Sequence, residues 1–186
     1  MAVKTMAKNT GTGQYNAGWH ELTISKAVDG KWGDKRTIDL NFEGYPDNMR
    51  HRVFEASNKT TGEEFKIANL FRFACAGIIS VLNDPTGKNP VIQYDDEVSN
   101  LVGTRVNVLF VKEASTTDGK EYSRTFDLVP VAQETEHITL TDDDVARLKN
   151  NTEKQHAKRT ATTTNGVGTV NLDTTTTVTG DAEVPF

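Results

Sequence analysis

Four cations and one indole crowd the stretch from Lys26 to Arg36: Lys26, Lys31, Trp32, Lys35 and Arg36. Asp29 and Asp34 oppose them, so the stretch is locally +2 in a chain of net charge −5. Trp32 follows Lys31 and precedes Gly33, in polar company that offers it no core. It either stands out as a flat ring or folds back over the rim of the domain. Arg50 and Arg52 lie two residues apart, which puts them on one face of a strand, spaced to grip adjacent phosphates or simply solvated. Lys112, Lys120, Tyr122 and Arg124 frame a later hairpin, where Glu113, Asp118 and Glu121 cancel their charge. Flat rings can stack on bases, and cations can follow a phosphate track. Together they are what a sequence-tolerant site for unpaired nucleic acid requires, with about 1–3 kcal/mol per stacked base. Trp19, Tyr45 and Tyr94 fit core or rim better than a ligand.

These side chains need a frame, and the patterning supplies one. Trp19–Ala27 alternates, with Leu22 and Ile24 on one face, as a half-buried strand does. The glycines of Val28–Asp34 predict a turn. Lys35–Glu43 alternates again, with Ile38, Leu40 and Phe42 inward; Gly44–Asn48 turns, and His51–Ser57 is a third strand. From Glu63 to Leu82 the apolar spacing changes to threes and fours, predicting the main helix, with Gly77 a possible end or bend. Asn83–Pro90 holds two Xaa-Pro pairs and predicts a loop; Asp95–Val102 predicts a short helical turn. Gly103–Lys112 and Lys120–Val131 are two more strands, joined by the Glu113–Gly119 loop, with Phe126 and Leu128 inward. Thr141 caps a final helix whose first turn carries Asp142, Asp143 and Asp144, an order that suits the helix dipole, running to about His156. Five strands with a helix between the third and fourth is the order of an OB-fold barrel. The predicted fold is therefore mainly β: a five-stranded OB-fold barrel over 18–133, a C-terminal helix over 134–156 and a disordered tail.

Composition narrows the chemistry. Residues 1–134 carry 16 Lys and Arg against 18 Asp and Glu, so the folded part is not globally basic and any phosphate surface must be local. One cysteine, Cys75, excludes an intrachain disulfide and fits a reducing compartment; inside the predicted helix it should be inert. No run reaches membrane-span length, and the polar, loose N-terminus (1–17) has no signal-peptide core, which predicts a cytoplasmic protein. Gly11-Thr12-Gly13-Gln14 lacks a flanking strand and helix, and Gly87-Lys88 lacks the upstream glycine, so neither is a phosphate loop. His20, His51, His137 and His156 share no ligand spacing, the acidic triplets sit at helix starts, and no nucleophile–base pair is visible. Neither a catalytic residue, a metal nor a cofactor is expected.

The end of the chain reads differently. Ala157–Gly180 is nearly all Thr, Asn, Gly and Val and cannot bury enough surface to offset its ordering entropy. It predicts a linker of root-mean-square reach about 25–30 Å. At its end lie Asp181, Glu183, Val184, Pro185 and Phe186. A terminal ring with a stiffened backbone and two carboxylates suits a pocket on a positive surface.

That tip resembles the C-terminal peptide of bacterial single-stranded DNA-binding proteins, an acidic run ending in Pro-Phe, with Val184 where the acidic run usually reaches Pro. The resemblance implies recruitment of replication, recombination and repair proteins. Gly18 through Ile24, Leu40-Asn41-Phe42, Ile67-Ala68, Ala76-Gly77-Ile78, Leu101 through Val106 and Gly119-Lys120-Glu121-Tyr122 are similar to a family of phage and prophage OB-fold single-stranded DNA-binding proteins. That likeness implies a bacteriophage-encoded DNA-binding protein that coats single-stranded DNA in the host cytoplasm. The alternative is an OB-fold adaptor that binds polypeptides and no nucleic acid, which the near-neutral core charge keeps open.

Overall fold

The computed structural model describes residues 15–83, 90–115 and 117–164. The expectations for the first fourteen residues, for most of the Asn83–Pro90 loop, for the linker beyond Thr164 and for the tip lie outside the described residues. The chain is mainly β, with the element order β1 (Gly18–Trp32), β2 (Lys35–Phe42), β3 (His51–Phe54), α1 (Lys66–Ala74), β4 (Ile78–Asn83), β5 (Pro90–Tyr94), β6 (Arg105–Ala114), β7 (Glu121–Pro130), β8 (Gln133–Glu134), β9 (Thr139–Leu140) and α2 (Asp142–Thr164). Five strands form one antiparallel sheet in the order β3-β2-β1-β6-β7, while β4-β5 and β8-β9 are separate hairpins. Strand β3 and strand β7 are the sheet's edges. They share no ladder among the described residues, yet the Thr125 hydroxyl donates to the Arg50 carbonyl at 3.2 Å.

Alternation explains how this sheet is buried. Ile24, Ile38, Leu40, Phe42 and Val53 from β1–β3 meet Val106, Val108, Phe110 and Leu128 from β6 and β7 in one core. Ile67, Leu70, Phe71 and Ala74 of α1 and Leu101 belong to the same cluster. Each large apolar side chain buried there contributes about 1.5–3 kcal/mol. The intervening residues of β6 and β7, Leu109, Val111 and Val129, are also buried, along with Ile138, Leu140 and Val145 near and within α2. Thr141 caps α2: its hydroxyl accepts from the Asp144 amide at 3.2 Å, and Asp144 returns the bond to the Thr141 amide at 3.2 Å.

Several expectations need correction. The turn predicted over Val28–Asp34 is strand almost throughout: β1 runs to Trp32 and reverses at Gly33 and Asp34, with Trp32 paired to Lys35. Gly33, at φ +60°, is the residue that lets so short a turn close. The main helix stops at Ala74, eight residues before Leu82, because Cys75 takes a left-handed conformation at φ 49° and Gly77 follows at φ 63°. A side chain on Gly77 would collide with the Asp95 carbonyl, whose own amide bonds Gly77 at 2.8 Å. Ile78–Asn83 is therefore strand β4. The start of α1 is held by the Glu64 carboxylate, which accepts from the Ile67 and Ala68 amides at 2.7 and 3.0 Å. Phe126 does not face the core: its ring meets His156 of α2 at 4.8 Å, edge on. Helix α2 continues past His156 to Thr164, so the linker cannot begin at Ala157. Tyr15 is not loose either, since its amide and carbonyl both bond the Ser123 hydroxyl and its ring packs on Tyr45 at 4.9 Å.

Candidate nucleic-acid interface

Register decides which predicted side chains share a surface. Val28 lies opposite Asp39, and Asp39 lies opposite Arg52; Gly30 lies opposite Thr37, and Thr37 opposite Phe54. Lys26 pairs with Asn41 and Trp32 with Lys35. Since directly opposed residues point the same way, Lys26, Val28, Trp32, Lys35, Arg52 and Phe54 all project from the face turned away from the core. Arg50 follows by parity and confirms it by contact, its Nη1 lying 3.4 Å from Asp39 Oδ2. The face is locally cationic on an acidic chain, with Lys26, Lys35, Arg50 and Arg52 against Asp39.

Its apolar content is as uneven as its charge. Trp32 is 65% exposed, Phe54 and Val28 each 42%. Large apolar side chains gathered on one cationic face mark a contact surface more often than scattered single ones do. Thr37, in the middle of the same face, is only 3% exposed, so larger neighbours close over it. Arg52 reaches across this face. Its guanidinium carbon lies 5.7 Å from the centroid of the Trp32 ring, and its Nε and Nη2 donate to the two oxygens of Asp39 at 2.6 and 2.7 Å. The Arg52 hydrogen bond, with its charge, holds the Asp39 carboxyl below the ordinary carboxylate range.

Lys31 and Arg36 pair with each other and point to the opposite side of the ribbon from Trp32, which separates two residues that the sequence groups with it. Arg36 is also engaged. It takes a fork of bonds with Asp29 at 2.8–3.1 Å and reaches the Asp96 carboxylate and, at 3.2 Å, the Asp96 carbonyl. Asp29 gives Arg36 the strongest hydrogen bond and raises its pKa, and Arg36 in turn lowers that of Asp29. Arg36 thus ties the ribbon to the segment after β5. Lys26, Lys31, Lys35 and Lys120 are exposed and in no ion pair among the described residues.

The later hairpin splits in the same way. Tyr122 lies opposite Glu113 and Arg124 opposite Val111, on the face away from the core, whereas Lys112 lies opposite Ser123. Lys112 donates to the Ser123 hydroxyl at 2.9 Å, Arg124 pairs with Glu113 at 3.2 Å, and the Tyr122 phenol donates to Asp118 at 2.6 Å. That last bond raises the Tyr122 pKa. Only Tyr122 and Arg124 share the outward side with the β1–β3 surface. Trp19 is a structural ring: its indole N–H donates to Glu153 of α2 at 2.7 Å under the Lys149 ammonium. Tyr94 stacks on Phe71 at 5.3 Å.

Phe54 is the site residue that the sequence analysis missed. The signal was present, since alternation that aligns Arg50 with Arg52 also aligns Phe54 with both. Among the described residues, no three His, Cys, Asp or Glu side chains group so as to hold a metal ion, and no helix is long and apolar enough to cross a membrane. Compared with known proteins, the chain matches no family model and no curated protein.

Proposed function

We propose that this chain is an OB-fold single-stranded DNA-binding protein, phage-encoded by its resemblances, which coats exposed strands during replication, recombination or repair. The observation that carries the proposal is the outward face of β1–β3, where two exposed rings stand among four cations. The sheet order β3-β2-β1-β6-β7 with α1 after β3 supports the OB reading, and the Thr125–Arg50 bond lies between the two edges that such a barrel would join. OB-folds bind oligonucleotides on the faces of their second and third strands. Bases stack on Trp32 and Phe54, and Lys26, Lys35 and Arg50 follow the backbone, with Tyr122 and Arg124 extending the track past β7. No catalytic role is assigned.

Few free cations imply a mild salt dependence. With Arg52 held by Asp39, three phosphate contacts on this face give a slope of log K against log salt of about −2 for a single strand. Titration of oligo-dT across salt concentrations checks this, and Lys35→Ala with Arg50→Ala should flatten the slope. No oligo-dT binding at low salt would remove the proposal.

Pro185 and Phe186, with Asp181 and Glu183, serve as the recruiting hook, tethered to a domain that stays on DNA. Deleting Val178–Phe186 should leave or raise dT affinity and abolish capture of replication proteins; unchanged capture would assign recruitment elsewhere. A protein-binding adaptor is the second reading. It is favoured by the β4–β5 hairpin, where Ile79, Leu82 and Val91 are exposed. An adaptor would retain partner capture with no affinity for any oligonucleotide.

A further inference from the structure

Asp39 is the one acid among the outward residues paired across Lys26–Trp32 of β1, β2 and β3, and its geometry is specific. It receives two parallel hydrogen bonds from Arg52, at 2.6 and 2.7 Å, while Arg50 reaches one of its oxygens at 3.4 Å. The Asp39 and Arg52 side chains are only 18% and 26% exposed. A two-point ion pair with that much shielding is not surrendered as readily as a solvated surface bridge. Arg52 is therefore a poor candidate for a phosphate, and its second contact shows what it does instead. Its guanidinium lies over the Trp32 ring. To reach it, Arg52 must extend along the face past the Gly30–Thr37 pair, since its own cross-strand partner is Asp39 and not Lys35. Gly30 leaves that lane open: a Cβ there would press on the Thr37 hydroxyl at 3.2 Å.

We propose that Asp39 is a positioning residue for the stacking ring: it locks the Arg52 guanidinium against one face of Trp32, so that the other face is presented to a single unpaired base. The proposal rests on the assignment of this face to DNA, but the ordering of the ring does not. An indole on a hairpin tip without such a partner would populate several rotamers and lose that freedom on binding. A ring ordered beforehand avoids the loss, which corresponds to about three- to tenfold in affinity for one side chain. The guanidinium also supplies a planar, cationic neighbour that only arginine offers; lysine can keep the ion pair but not the stack.

The test uses the full-length chain with Trp19→Phe, which leaves Trp32 as the sole tryptophan. Acrylamide quenching of Trp32 emission without DNA reports the ordering of the ring, and titration with oligo-dT reports its use. Asp39→Asn should about double the quenching constant and weaken dT binding by about three- to tenfold. Arg52→Lys should do the same, and it carries the test if Asp39→Asn does not fold. Quenching unchanged in these variants overturns the positioning role, whatever DNA does. Raised quenching in Asp39→Asn, with full affinity for labelled dT by anisotropy both in that variant and in Trp32→Ala, would instead keep the clamp and remove DNA from this face.

Discussion

Removing both outward rings, Trp32→Ala together with Phe54→Ala, is expected to weaken oligo-dT binding at least about thirtyfold. Each stacked base is worth about 1–3 kcal/mol, so two platforms account for at least about 2 kcal/mol. The two rings stand on different strands, β1 and β3, with the β2 pair Lys35 and Thr37 between their positions. They can therefore hold different bases, and their losses should roughly add. Each single variant should lose about fivefold or more. Stability should change little, since Trp32 is 65% and Phe54 42% exposed and neither belongs to the core. Fluorescence anisotropy of labelled dT, with thermal melting as the control, checks this. A double variant that binds within about twofold of the parent would place the stacking surface elsewhere.

The second large effect concerns folding. His51 is buried on β3 between Arg50 and Arg52, and burial pushes its pKa down to about 4; the Asp127 charge raises it, Lys66 lowers it further and Asp39 raises it. The native state thus holds His51 neutral, while the unfolded chain takes up a proton below about pH 6.5. Its contribution is fully present above that pH and is lost as pH falls from about 6.5 towards 4, on the order of 3 kcal/mol in all. Urea unfolding at pH 7.5 and 4.5 measures the loss. His51→Phe should flatten the dependence over that window, whereas Asp29 and Asp39, both held low by arginine, titrate only below it. An equal pH dependence in parent and variant would mean that His51 is not the group responsible. Because His51 sits inside the strand that carries Arg52 and Phe54, acid should remove the proposed DNA face as it loosens β3.

Much of this site was legible before any coordinates. Trp32 has no apolar neighbours in sequence, which left either an exposed ring or one folded over the rim, and the ring is exposed. Arg50 and Arg52 share a face because strands alternate, and Thr141 caps α2 as the acidic first turn that follows it implies. What stayed hidden depended on register or on rare backbone. Lys31 and Trp32 seemed to share a loop because Gly30 and Gly33 both resemble turn residues, yet Gly30 lies in the strand with an ordinary φ. Once that stretch is strand, adjacent residues fall on opposite faces, and Lys31 and Arg36 leave the site. The pairing of Asp39 with Arg52 needed the β2–β3 register. Helix α1 seemed longer because the apolar residues from Ile78 to Leu82 continue a three- and four-residue spacing, although their β-branched types favour a strand. The left-handed turn at Cys75, a residue that seldom adopts it, carries no sequence mark.

The central claim is that unpaired bases stack on Trp32. Its most direct measurement is the emission of Trp32 in the Trp19→Phe chain, titrated with oligo-dT and separately with the same strand in a duplex. Saturable quenching by the single strand, with little response to the duplex, is the predicted result. Emission that stays constant while the single strand binds, or that responds equally to both, would contradict it.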